Sequence, residues 1–176
     1  MIRNALWSSG AAAALLATAP AFAQSANVAI DFKIDVIDGC SITTGGGAPA
    51  LLDFGTTQGG LSTTAIDAQT AAGNITVLCN AASAAATFSI GPGKNDFGSQ
   101  RNLNNPLIVG PTGNIAYRLF HNAGRTMEYL PDVKIPISQP ILAGVPFELT
   151  IYGRVEGGQN LLAGGYTDQA TGTLAL

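Results

Sequence analysis

Few side chains in this sequence could do chemistry, and they are scattered. The single histidine, His121, stands in "FHNAGR", a turn sequence between two strand-like segments. It reads as a solvated surface residue, because no second His and no Cys falls beside it to complete a metal site. A serine nucleophile would need G-x-S-x-G or a similar run, and the sequence has none. "GPGKND" has the outline of a phosphate loop but lacks the first glycine and the Ser or Thr after Lys94. Asp31, Asp35 and Asp38 invite calcium. Yet Asp31 and Asp35 would lie about 13 Å apart on an extended chain, too far for one ion. "NIT" at Asn74 fits a glycosylation acceptor but falls inside a predicted strand. No catalytic residue, metal site or cofactor is expected, and the chain does not read as an enzyme.

The chemistry that remains is thiol chemistry. Cys40 and Cys79 are the two cysteines, and their meaning depends on compartment. The first residues, "MIRNALWSSGAAAALLATAPAFA", give one basic residue, an apolar run and a small-x-small site at Ala21-Phe22-Ala23. That is the pattern of a cleaved secretory signal over residues 1–23. Ser8, Ser9 and Gly10 interrupt the run, which is short for a bilayer span. No stable membrane insertion is expected. In an exported protein a lone cysteine pair is most simply a disulfide, the alternative being two free thiols.

Charged residues make up 11% of the chain, with a formal net charge of −3. Loss of Arg3 with the signal leaves seven basic residues against eleven acidic ones. That sign disfavours nucleic acid and anionic membrane surfaces, which call for a basic patch. A surface so poor in charge suggests that much of it is meant to be covered. About 150 mature residues suffice for one domain with a proper core.

The elements that would position these residues are strands. Short alternating segments are separated by clusters of Gly, Pro, Asn and Asp, the pattern of a sandwich or barrel. "NITVLC" sets Ile75, Val77 and Cys79 on one face, "ATFSIG" sets Phe88 and Ile90, and "IAYRLF" sets Ile115, Tyr117 and Leu119. In "GVPFELTIYGRV" Val145, Phe147, Leu149 and Ile151 alternate with Pro146, Glu148, Thr150 and Tyr152. "TTGGGAPA", "GPGKNDFGSQRNLNNP", "GPTGN", "HNAG" and "EGGQNLLAGGY" read as loops, and "AASAAA" as a loop with part of a strand. About seven strands in one all-β domain are predicted.

The cleanest strand comes first. In "NVAIDFKIDVIDGC" the residues Val28, Ile30, Phe32, Ile34 and Val36 occupy every second position, and no hairpin partner precedes them. The chain closes on "GGYTDQATGTLAL", a weaker strand with Leu174 and Leu176 on one face. Periodicity cannot say whether the first strand joins its own sheet or another molecule's.

The order "GCSI", "LDFGTT", "GNITVLCN", "SQRNL", "AYRLFHNAGRTMEY", "IYGRVEG" and "GGYTDQATGTLAL" resembles the spore coat protein U domain, a family that includes subunits of archaic, Csu-type chaperone–usher pili. The likeness spans about residues 27–176. It departs at the end, where Leu176 replaces a frequent aromatic, and in the bland "AASAAA". The resemblance implies an incomplete immunoglobulin-like β-sandwich lacking its last strand over residues 40–176, with an N-terminal donor segment at 24–39. It implies that Val28, Ile30, Phe32, Ile34 and Val36 enter a neighbour's groove, and that Leu174 and Leu176 line one wall of the receiving groove. The partners implied are neighbouring copies or related pilins in a head-to-tail polymer, a periplasmic chaperone and an outer-membrane usher. The setting implied is a surface fimbria serving adhesion and biofilm formation. The competing expectations are a secreted spore-coat-like structural protein and a monomeric secreted module binding sugar or protein.

Overall fold

A computed structural model describes residues 34, 39–45, 49–72 and 74–176. The chain divides into two compact units, Met1–Asp35 and Val36–Leu176. In the first, only Ile34 is described, and it is exposed. The expected signal, Asp31, Asp35 and Asp38, and the donor positions Val28, Ile30, Phe32 and Val36 lie outside the described residues.

The second unit is all-β among the described residues apart from one 3₁₀ turn, Pro111–Gly113. Its described residues form twelve short strands, more than the seven or so expected. They are β1 Cys40–Thr44, β2 Gly60–Leu61, β3 Ile66–Gln69, β4 Ile75–Cys79, β5 Thr87–Ile90 and β6 Arg101–Asn104. There follow β7 Asn114–Phe120, β8 Ile135–Pro136, β9 Phe147–Glu148, β10 Tyr152–Val155, β11 Asn160–Leu161 and β12 Gly172–Ala175. All pairings are antiparallel, in the orders β1-β4-β9, β3-β10-β7-β6, β11-β2 and β12-β5-β8.

The excess of strands has a physical source. The run 145–155 alternates without a break, yet β9 pairs with β4 while β10 pairs with β3 and β7. One extended stretch leaves one sheet and enters another with its odd-numbered residues inward from Phe147 onward, while Val145 at its start is exposed. This is how strands turn the corners of sandwiches.

The four-stranded sheet β3-β10-β7-β6 faces β5. Phe88 and Ile90 pack with Ile115, Tyr117, Leu119 and Val155 in the main cluster, as their alternation predicts. A second cluster gathers Val77, Cys79, Ala86 and Ile141. Ile137 and Leu174 touch both clusters and join them. The result is a β-sandwich of antiparallel sheets with a continuous apolar interior.

Candidate functional site

Cys40 and Cys79 are directly opposed in the β1–β4 ladder and form a disulfide. It fastens the start of β1 to a fully buried point of the second cluster. Closing a loop of 39 residues contributes about 4 kcal/mol in the chain-entropy account.

Beside this anchor the sandwich is open. β1 is flanked by β4 alone and β12 by β5 alone among the described strands. Between them runs a cleft of about 600 Å³. Ile42 of β1, residues 49–52 and Phe54 form one side, and Gln169, Ala170 and Gly172 form the other. Its floor is the main core itself: Phe88, Ile90, Tyr117, Leu119 and Ile151. Ile42 faces Val77 across the ladder and so shares its face. Val77 is 0% exposed and Ile42 is 41% exposed. An inward-facing isoleucine in contact with water marks a core that is not closed on this side.

A second cleft, about 640 Å³, continues past Leu51, Leu52, Phe54, Leu103 and Asp168, which line both. Its floor includes Ile115, Val155 and Leu161, and its rim carries Thr56, Gln58, Tyr166 and Thr167.

Leu174 is half-buried and packs on both clusters, while Leu176 is 52% exposed at the end of the chain. The residues lining the cleft on that side are Asp168, Gln169, Ala170 and Gly172. Leu174 therefore lies on the strand that bounds the cleft and Leu176 one residue past its end, both beyond the positions that line the cleft.

Two polar hubs hold the cleft's surroundings, and sequence reasoning gave neither a role. Arg101, from "SQRNL", is 2% exposed. Its guanidinium donates to the carbonyls of Gly91 (2.9 Å), Ile90 (2.7 Å) and Tyr129 (2.6 Å). Burial pushes its pKa down from the ordinary arginine value. These bonds tie β5, β6 and the 121–134 loop into one corner. The second hub is Asp168, from "GGYTDQATG". One oxygen accepts from the backbone N–H groups of Lys94 and Asn95 and from Asn95 Nδ2, and the other from the Tyr117 hydroxyl at 2.8 Å. Burial first, and then this bond to Asp168, raise the Tyr117 pKa well above the ordinary phenol value. The loop "GPGKND" thus does cradle an anion, its own Asp168. Gly93, at φ +97°, has no room for a Cβ against that carboxylate.

His121 is half-buried, its ring edge-on to Tyr129 at 5.4 Å, and so more enclosed than expected. Among the described residues no group of three or more His, Cys, Asp or Glu could hold a metal ion. No described helix is long and apolar enough to cross a membrane.

The model of the Spore Coat Protein U domain matches residues 24–173. The chain belongs to this family. Spore coat protein U domains are chaperone–usher pilin-like proteins, structural rather than enzymatic in type. No curated protein matches the sequence. Within the spore coat protein U fold seen here, the motifs carrying the resemblance have structural work. "GCSI" and "GNITVLCN" supply the two halves of the disulfide, "SQRNL" the buried arginine, and "GGYTDQATG" the carboxylate hub.

Proposed function

We propose that this protein is a pilin subunit whose sandwich is completed in trans by residues 28–36 of a neighbouring subunit. One observation carries the reading: the main core is reachable through an apolar cleft bounded by β1 and β12, each with a single neighbour among the described strands. A strand laid there would find apolar side chains beneath it and, beside it, strands that have one neighbour each among the described strands, the conditions for recognition by strand addition.

Burial of Val28, Ile30, Phe32, Ile34 and Val36 contributes on the order of 8–15 kcal/mol by transfer energies, an upper bound offset by the cost of association. Each ladder bond adds about 1 kcal/mol. A head-to-tail contact that does not close on itself builds a filament. Leu174 holds β12 in place from beneath, and Leu176 extends the groove wall at its end.

Before assembly the cleft is an aggregation hazard. A periplasmic chaperone covers it, and an outer-membrane usher directs exchange at the cell surface. Residues 1–23 are removed on export, residues 24–39 carry the donor, and residues 40–176 form the receiving domain. The fibre serves adhesion and biofilm formation.

The test is the state of the native protein. It should migrate as an SDS-resistant ladder that collapses on boiling, and deletion of residues 24–37 should abolish the ladder while leaving a domain that accepts an added donor peptide. A truncated chain that still polymerises, or an intact one that stays a cooperative monomer without chaperone, overturns the reading in favour of a secreted module.

A further inference from the structure

The disulfide stands at one particular end of its ladder. β1 and β4 pair over five positions, from Cys40 opposite Cys79 to Thr44 opposite Ile75. The crosslink joins the first of these pairs, where the sequence ahead of residue 40 enters the sheet. Directly before it, Gly39 donates its N–H to Asn80 Oδ1 at 2.7 Å, and its carbonyl accepts from the Asn80 N–H at 3.0 Å. Side chain and main chain of Asn80 thus bracket a single residue.

The structure behind this bracket is firm. Cys79 is buried in the second cluster with Val77, Ala86 and Ile141. Its carbonyl accepts from the Gly144 N–H at 2.8 Å. Ser83 and Ile141 exchange backbone hydrogen bonds at 3.0 and 2.9 Å. Strand β4, residues 80–86 and residues 141–144 therefore all brace the buried half of the crosslink. At its other end the ladder runs on through one backbone bond, from the Gly45 N–H to the Asn74 carbonyl at 3.1 Å.

Position matters because an antiparallel ladder pulled at one end opens pair by pair. Its bonds lie across the strands and meet the pull one at a time. A pull on the segment ahead of Gly39 would peel β1 from β4 in this way. A covalent bond at the first pair stops the peeling before it starts and passes the pull to β4 inside the core. A crosslink between Thr44 and Ile75 would constrain the unfolded chain almost equally, yet would leave the pairs before it to open.

We propose that the Cys40–Cys79 bond is a tension clamp, which carries a pull on the N-terminal segment into the buried core of its own domain. This rests on strand exchange as proposed above, because a second copy of this chain holding that segment supplies the pull. The contact itself is a different one, the root of the arm within its own domain. Reduction then weakens the subunit most against a pull that enters at residue 39.

Single-molecule pulling of the full chain along two directions tests the clamp. One pair of tethers grips the N-terminus and the C-terminus. The other grips position 107, where Leu107 is 89% exposed, and the C-terminus. The crosslink is removed by serine at both Cys40 and Cys79, or by reductant added to the folded wild type. Pulled from the N-terminus, the chain without the crosslink should first yield at about half the wild-type force or less, releasing β1 in an early step of about 15 Å or more. Pulled from position 107, it should yield within about a fifth of the wild-type force, because the crosslink lies outside those tethers and acts there only through the unfolded chain. Equal losses in both directions would show that the bond merely stabilises the fold, and no loss in either would show that β1 holds unaided. Each of these results overturns the clamp and leaves strand exchange standing. A chain that forms no SDS-resistant ladder overturns strand exchange, and with it the source of the pull.

Discussion

On the corner where β5 meets β6, a cation is shut away from water and three carbonyls are spent on it. On the flank between β1 and β12, Ile42 stands on the same face as Val77 and remains in contact with solvent. The first corner is closed at considerable electrostatic cost, because a guanidinium leaves water only when its donors are met. The second is left open although apolar residues for closing it are cheap and abundant. A monomer under selection for stability alone would do the reverse. The contrast indicates a fold made rigid around its opening, with Arg101 and Asp168 fixing nearby loops, as the proposed filling of the cleft by another chain would require.

The strongest way to break that contrast is to unmake the closed corner. Arg101→Met fits the space but abandons the carbonyls of Ile90, Gly91 and Tyr129. It should cost on the order of 4 kcal/mol in a denaturant titration. A loss below about 1 kcal/mol would mean that water replaces the guanidinium and that the corner is not rigid. Next in size is the anchor of the open flank. Replacing Cys40 and Cys79 together by serine should cost about 2–4 kcal/mol in thermal melting. Reductant should lower the melting temperature of the wild type and leave that of the variant unchanged.

How far the sequence discloses this contrast depends on the residue. The closed core is plain: Ile75, Val77, Phe88, Ile90, Ile115, Tyr117 and Leu119 alternate in sequence and are all buried. The disulfide is plain once export is granted. Period two is blind to partner, so the division of 145–155 between two sheets leaves no trace in the sequence. Arg101 is hidden for another reason. Arginine is a surface residue by habit, and its burial depends on carbonyls that only the fold brings together. The segment around Leu52 and Phe54 follows the glycines of "TTGGGAPA" and gives only three alternating positions, too few to separate a strand from a loop. A glycine inside the otherwise strand-like "IYGRV" was the available signal, since such a glycine often marks another backbone passing close by.

A sharper comparison uses two residues opposed in one ladder. Val77→Ala empties a fully buried site and should cost about 2 kcal/mol. Ile42→Ala removes a larger side chain from a half-open one and should cost less than about 1 kcal/mol in the unassembled subunit. If strand exchange holds, the order changes on assembly, because a seated donor removes Ile42 from water. Melting of fibres and subunits for both variants reads this directly. Equal costs at Ile42 in the two states would show that the donor does not reach β1.

The smallest effect belongs to the exposed face of β3 and β10, away from both the corner and the cleft. Asp67 receives a bidentate contact from Arg154 at 2.7 and 3.0 Å and lies 3.3 Å from Arg125. The hydrogen bonds from Arg154 hold its carboxyl below the ordinary value of 3.8, and the charge of Arg125 adds to this. A depressed carboxylate stabilises the fold above its unfolded-state pKa, and the contribution is lost as pH falls through the lower native value. Asp67→Asn should therefore melt slightly below wild type at neutral pH, and the two curves should converge as the pH drops below 3.8. Because the Asp67 side chain is 40% exposed, solvent and salt screen the pair, and the gap should narrow further at high ionic strength. A gap that persists at low pH would mean that Asp67 acts through packing, and that this face is as tightly built as the corner around Arg101.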